Sequence, residues 1–405
     1  YVKKYHNKDI DFSVLGYEDP EVYKMISEGE TDTVFQFESS GMKSFMKQLK
    51  PGLLEEIIAG VALYRPGPMD YIPKYVMNKQ NQEKIDYRHP LLEPILKNTY
   101  GIIVYQEQAM KITQILAGYT LNEADNFRKF ISKKETEDIP RQRAEFVNGC
   151  VKNGLDEEFA LMIWKELETF GRYAFNKSHA AAYAVISYQT AYLKRYYPVE
   201  YYCSVINNRL GNPKDTSKYL KLLKSQNIEL LRPDINYSNA LFTPQGDKIR
   251  YGLACIKNVG RAAIETVIQE REENGKFKDF SDFARRVSGA ALNKRMIESL
   301  IKGGAFDSFG HTRRTLMANY EDIIEIETDN RNLMGGGQMF LDFMVEEAYK
   351  YKEFPESEKE KLAFEKEVAG RYITGHPLAG REEEFKEFDF NLSFLAEMNA
   401  SEEDE

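Results

Sequence analysis

The chain has 405 residues, a formal net charge of −9, and 42% hydrophobic against 29% charged residues. That length suits about two to four domains, the composition is ordinary for a globular chain, and no apolar run approaches the ~18–20 residues a membrane helix needs. Cys150, Cys203 and Cys255 lie far apart and the five histidines are scattered. Neither a disulfide framework nor a Cys/His zinc site is therefore expected, and a reducing cytoplasm is the expected compartment. The charged, aromatic opening Tyr1–Asp11 suggests no secretory signal.

The net charge is unevenly spread. Residues 1–120 carry a net of −2, 121–234 of +3, 235–320 of +5 and 321–405 of −15. The middle of the chain is basic, and the excess acid sits at the end. An acidic whole is thus compatible with a nucleic-acid partner for the middle.

Apolar spacing predicts a mainly α chain. Helices are expected from Asp19 to Glu28, over Gly41–Leu49 stopped by Pro51-Gly52, and over Leu53–Leu63 ended by Arg65-Pro66-Gly67-Pro68. That Pro-Gly-Pro fixes two φ angles around a permissive glycine and predicts a rigid loop. Gly101–Tyr105 is short, β-branched and apolar, and the next stretch, with Met110, Ile112, Ile115 and Leu116, reads as helix. Leu121–Ser132, Asp156–Phe170, Ser178–Tyr196, Pro198–Asn207 and Ser217–Lys224 complete the first set. After Pro233 the pattern changes. Ala240–Leu253 reads as two strands around Pro244-Gln245-Gly246-Asp247, and short helices with glycine turns run from Gly260 to about Glu327. Met334-Gly335-Gly336-Gly337 reads as a flexible link into an acidic end with weak periodicity. The expected division is 1–234, 235–327 and 328–405.

Four segments could carry chemistry. Arg128, Lys129, Lys133 and Lys134 crowd one stretch of a short helix, a poor core face and a good clamp for phosphate oxygens. Arg172, Asn176, Lys177, Ser178 and His179 cluster at the start of the long helix, where Asn176 or Ser178 is a natural cap and the first N–H groups attract anions. The aromatic stripe Tyr188, Tyr192 and Tyr196 reads as core. Ala254–Ile264 resembles a helix-hairpin-helix element, with Lys257, Asn258, Gly260 and Arg261 at the turn and Asn258 in a place usually held by glycine. A second candidate places Gly303 and Gly304 in the hairpin and Arg313 and Arg314 on the helix after it. Gln338, Leu341 and Phe343 come just after the glycines and read, on spacing alone, as an ordinary loop.

No Walker loop, GxSxG, HExxH or DxD pair lies in the basic region, so nothing here is expected to hold two Mg²⁺ ions. Taken in order, Val34–Met42, Ala62–Pro68, Tyr100–Gln108, Phe175–Tyr183, Ile249–Leu253, Ala305–Asp307 and Thr374–Pro377 resemble the alpha subunits of bacterial DNA polymerase III, the C-family replicative polymerases. The resemblance covers roughly residues 30–380.

The resemblance implies a template-directed DNA polymerase, with this chain corresponding to a large helical fingers domain followed by a small helix-hairpin-helix domain with a β-hairpin entry. The family's catalytic aspartates belong to a palm, and no residue here matches them. The chain is thus expected to be an excised piece that holds no Mg²⁺ and does not polymerise alone. Its implied partners are primer-template DNA, an incoming deoxynucleoside triphosphate, the sliding clamp and other replisome subunits, with no membrane. Arg128 and Lys129 correspond to a basic pair on the triphosphate, extended by Lys133 and Lys134, and the 172–179 group borders the nucleotide pocket. Arg65 is expected to be structural. Gln338, Leu341 and Phe343 correspond to a clamp-binding peptide, which reverses the reading from spacing. A noncatalytic helix-hairpin-helix scaffold and a protein-interaction module driven by the acidic end are the alternatives.

Overall fold

The computed structural model describes residues 1–133, 138–171, 173, 175–210, 213–287, 293–335 and 349–379. Most of these are helical, and the helix starts follow local chemistry. The Asp19 carboxylate accepts from Glu21 N and Val22 N, with Pro20 opening the helix Pro20–Ser27. Ser39 caps Ser40–Leu49 in the same way. Glu56 turns back on Leu54–Leu63 and accepts from the Gly52 and Leu53 N–H groups. Each contact satisfies a donor that the helix cannot satisfy itself.

The chain forms two compact units, Val2–Pro198 and Val199–Glu405, with Tyr1 counted in the second. This division falls ahead of the 234 expected from sequence. Val199, Tyr202, Cys203, Ile206, Tyr219, Leu220 and Leu223 all join the second unit's core, so the helices Pro198–Asn207 and Pro213–Ser225 pack there.

The first unit has two cores. One gathers Val22, Phe37, Phe45, Met46, Ile57, Ile58 and Tyr75 around Ala180, Ala184, Tyr188 and Ala191 of the long helix Lys177–Tyr196. The three alanines let the long helix lie close on Leu54–Leu63. Tyr188 is core, as expected, but Tyr196 is 41% exposed and donates to the Asp19 carboxylate. The other core joins Gln106–Ala117, Leu121–Lys133, Ile139–Lys152 and Glu157–Gly171 through Ile112, Leu116, Phe127, Phe146, Trp164 and Leu167.

In the second unit a three-stranded sheet holds Lys248–Arg250 in the middle, antiparallel to Thr243–Gln245 and parallel to Leu230–Leu231. The hairpin turns at Gly246, whose φ of +63° suits glycine, and Pro244 sits on an edge strand where its missing N–H does no harm. Three of the longer helices are not expected from the sequence: Ile72–Gln80, Ile139–Lys152 and Glu358–Ala369. Prolines at the first turns of the first two resemble breaks but act as starts. The third is charged nearly all round. It forms because Ser357 and Glu360 cap each other's ends and Leu362, Glu365 and Val368 are buried.

That third helix reorganises the second helix-hairpin-helix candidate. Arg313 is 1% exposed. Its guanidinium donates to both Asp307 oxygens at 2.9 and 2.8 Å, to Glu365 at 3.1 Å and to the Lys302 carbonyl at 3.0 Å. Burial alone would raise the Glu365 carboxyl, but bonds from Thr374 and Ile373 and the Arg313 charge outweigh it and hold it below its ordinary value. Removing one partner of such a buried network strands the other charges. Arg313→Met should therefore cost about 3–5 kcal/mol in urea unfolding, whereas Arg314→Ala on the exposed face should cost less than about 1 kcal/mol.

Candidate nucleotide and DNA interfaces

In the first unit, the backbone itself assembles the predicted residues. The extended Gly101–Tyr105 segment makes no sheet. Among the described residues it pairs in parallel with Phe175, where Gln106 N donates to the Phe175 carbonyl at 2.9 Å and Phe175 N to the Val104 carbonyl at 3.4 Å. Two helices therefore begin side by side, Gln106–Ala117 and Lys177–Tyr196. Their starts are tied together, because Glu107 accepts from Lys177 N with both carboxylate oxygens at 3.1 Å. Asn176 caps the long helix, accepting from His179 N at 3.0 Å.

The basic helix Leu121–Lys133 reaches this point through Arg128, whose Nη1 donates to Gln106 Oε1 at 3.3 Å. Arg128 also forks onto Asp125 at 2.8–2.9 Å, and Lys129 meets the same carboxylate at 2.7 Å. Lys129 first, then Arg128, holds the Asp125 carboxyl below its ordinary value. The Lys177 ammonium lies 2.9 Å from Glu55 and over the Tyr105 ring. Ser178 and His179 are exposed. The His179 ring packs edge-on against Phe175 and lies 4.4 Å from Tyr183. The structure thus brings Arg128, Asn176, Lys177 and His179 around one pair of helix starts. Lys133 ends its helix, and Lys134 and Arg172 lie outside the described residues.

Arg65 holds this corner in place. Its Nε donates to the Ala62 carbonyl and its Nη2 to the Tyr173 carbonyl, and its guanidinium covers the Phe175 ring at 4.0 Å. Sequence reading missed Gln106, Glu107 and Glu55. Their only signal was position at helix starts, which does not say what lies across from them.

In the second unit, the first hairpin has the expected shape. Asn258 takes φ +65° and donates to Ser299 Oγ, and the helix Arg261–Asn274 begins directly after Gly260. Lys257, Asn258, Gly260 and Arg261 are all exposed. Arg261 pairs with Glu265 at 2.8 Å, and Lys257 N donates to the Val368 carbonyl. The second hairpin departs from expectation. Gly303 and Gly304 are buried, and a Cβ on Gly304 would stand 2.4 Å from the Arg313 guanidinium. Gly303, Gly304 and Arg313 therefore face the interior, and no surface of theirs is open for the phosphate contact expected of them. Arg314 is exposed, but Glu360 meets its guanidinium at 3.2 Å and Glu356 accepts from its N–H at 3.1 Å. Gln338, Leu341 and Phe343 lie outside the described residues. Among the described residues, no group of three His, Cys, Asp or Glu could hold a metal, and no helix is long and apolar enough to cross a membrane.

The architecture is a helical unit with cations gathered at paired helix starts, followed by a unit with a helix-hairpin-helix turn. Residues 1–154 match the family described as bacterial DNA polymerase III alpha subunit finger domain, and residues 227–316 match a helix-hairpin-helix motif family. Arg128 and Lys129 fall inside the first match, and Asn176–His179 fall beyond it. The chain is 41% identical over 92% of its length to DNA polymerase III subunit alpha of Borreliella burgdorferi. It is 41% identical over 93% to that of Thermus aquaticus, and 42% over 93% to that of Neisseria meningitidis serogroup A. It belongs to the family of bacterial DNA polymerase III alpha subunits, and spans 33%, 31% and 33% of these relatives.

The corner can be tested through stability. Asn176→Ala removes a cap and should cost about 1 kcal/mol in thermal unfolding. Gly67 sits at φ +99° with the Tyr173 ring 2.3 Å from where a Cβ would stand. Gly67→Ala should cost more than about 1 kcal/mol, and should perturb Tyr173 fluorescence where Asn176→Ala does not.

Proposed function

We propose that this chain supplies the fingers and duplex-holding parts of a template-directed replicative DNA polymerase. The observation that carries this reading is the convergence of Arg128 with the helix start at Asn176–His179 on Gln106. The positive end of a long helix, a guanidinium and two ammonium groups suit the phosphates of an incoming deoxynucleoside triphosphate. An arriving triphosphate would exchange the single Asp125 carboxylate for several phosphate oxygens. Lys133, Lys134 and Arg172 are proposed, from the sequence, to share this phosphate-binding role. The reaction's carboxylates and Mg²⁺ belong, in this reading, to a palm supplied by other residues of the longer polypeptide, so the 405 residues alone do not polymerise. The proposed setting is the bacterial cytoplasm.

A noncatalytic helix-hairpin-helix scaffold would account for Lys257–Arg261 but leaves the Arg128–Lys177 corner without a purpose. In a polypeptide that includes the palm, Arg128→Ala should raise KM for all four deoxynucleotides alike, by the equivalent of about 1.5–3 kcal/mol. A loss confined to one nucleotide would place Arg128 at the base instead.

The first hairpin, not the second, is the proposed duplex contact. Lys257→Ala with Arg261→Ala should weaken binding to duplexes of unrelated sequence equally and flatten the salt dependence by about two phosphate contacts. Arg314→Ala should change little, because two carboxylates, Glu356 and Glu360, stand against it and would repel a phosphate.

The peptide Gln338–Phe343 is the proposed sliding-clamp ligand, through which other replisome subunits are reached. Leu341→Ala with Phe343→Ala should abolish clamp-dependent processivity in the complete polypeptide and leave distributive synthesis nearly intact. Retained clamp binding in a titration would return both residues to core packing.

A further inference from the structure

A cavity of about 270 Å³ opens in the first unit between the helices Ile72–Gln80 and Glu157–Gly171, away from Arg128 and Lys177. Ile102, Ile103, Met162 and Phe170 form its apolar lining, and Tyr71, Lys74 and Lys165 stand with them. Arg88 also lines it but is already committed, to Glu166 at 2.7 Å and to the Gly101 carbonyl at 2.9 Å. That pairing neutralises Glu166, the cavity's one carboxylate. Lys74 and Lys165 are exposed, and neither ammonium has an ion-pair or hydrogen-bond partner among the described residues. Asp70 and Glu166 are the carboxylates acting on Tyr71. With Glu166 answered, Asp70 alone is too little to neutralise the two lysines at the mouth.

We propose that this cavity seats one nucleotide of a single-stranded nucleic acid. The base lies against Tyr71 and the Ile102–Phe170 lining, and the flanking phosphates meet Lys74 and Lys165. The volume lies just below the about 300–1,000 Å³ usual for ligand pockets, room for one base and not a stacked pair. An aromatic and aliphatic wall with cations beside it reads the flat face of any base and the charge of any backbone, so the site is sequence-tolerant. Tyr173, 39% exposed and close enough to act electrostatically on Tyr71, offers a ring for the neighbouring base. A duplex cannot use the site, because its bases are already stacked and paired. The proposal takes only its class of partner from the proposed polymerase function.

The test titrates the full chain with a fluorescent oligothymidylate and, separately, with a blunt duplex of equal length. Lys74→Ala with Lys165→Ala should weaken single-strand binding about tenfold, flatten its salt slope, and change duplex binding less than about twofold. Tyr71→Ala should weaken single-strand binding by a similar factor at unchanged salt slope, and Tyr71→Phe should restore it. Unchanged single-strand affinity in the double variant, or an equal loss of duplex affinity, overturns the proposal. Lys257→Ala with Arg261→Ala serves as the control. Loss of duplex binding there with single-strand binding retained keeps this site and the hairpin separate, so either can fail without the other.

Discussion

The first unit's candidate site depends on one short backbone pairing, Val104–Gln106 against Phe175. It involves two hydrogen bonds and no sheet, yet it fixes where two helices begin. Seventy residues of chain separate Glu107 from Lys177, and the pairing brings the carboxylate of one onto the amide of the other. Everything around it supports that join. Arg65 covers Phe175, Gly67 leaves space for the Tyr173 ring, and Gln108 turns back to accept from the Val104 and Tyr105 N–H groups. A loop crossing of this kind would be weak in water. Here Tyr105 is 2% exposed and burial pushes its hydroxyl well above its ordinary range, so the pairing is made where solvent cannot compete.

The site's cations are not left unanswered. Arg128 and Lys129 share Asp125, and Lys177 rests on Glu55. These half-exposed pairs contribute modestly to stability. Their effect is to hold flexible side chains close to one another at the cost of part of their charge. A polyanion with more oxygens to offer can compete for them, which a single carboxylate on a neighbouring surface cannot.

The two hairpins of the second unit show how one sequence pattern yields two outcomes. Both place a helix after a tight turn, and both have the residues of a phosphate contact. In the first, the turn residues are exposed and Asn258 accepts the left-handed conformation. In the second, the acidic stretch from Glu353 to Glu365 lies over the start of Arg313–Gly335. Glu353 meets His311 and Thr315, Glu356 and Glu360 meet Arg314, and Glu365 meets Arg313. Protein carboxylates meet these cations within the fold itself. Part of the acid that makes the end of the chain so negative is thus used inside the fold.

Much was legible in the residues alone. Apolar spacing located most helices, because one buried face repeats every three to four residues whatever it packs against. The Pro-Gly-Pro loop, the hairpin at Gly246, the left-handed Asn258 and the basic run at Arg128 are local, and local chemistry decides them. The tertiary structure decided what was not local. It buried Arg313 and left Lys257 exposed, although both are cations near a glycine turn, because only the first faces Asp307 and Glu365. It gave Pro73 and Pro140 to helix starts, since a missing N–H is harmless there and the turns after them had cores to cover. It set Glu107 beneath Lys177 and Gln106 beside Arg128, pairings that span many residues and leave no periodic trace. Spacing along a chain reports which face a residue shares, but which charge stands opposite it is fixed only when distant segments meet.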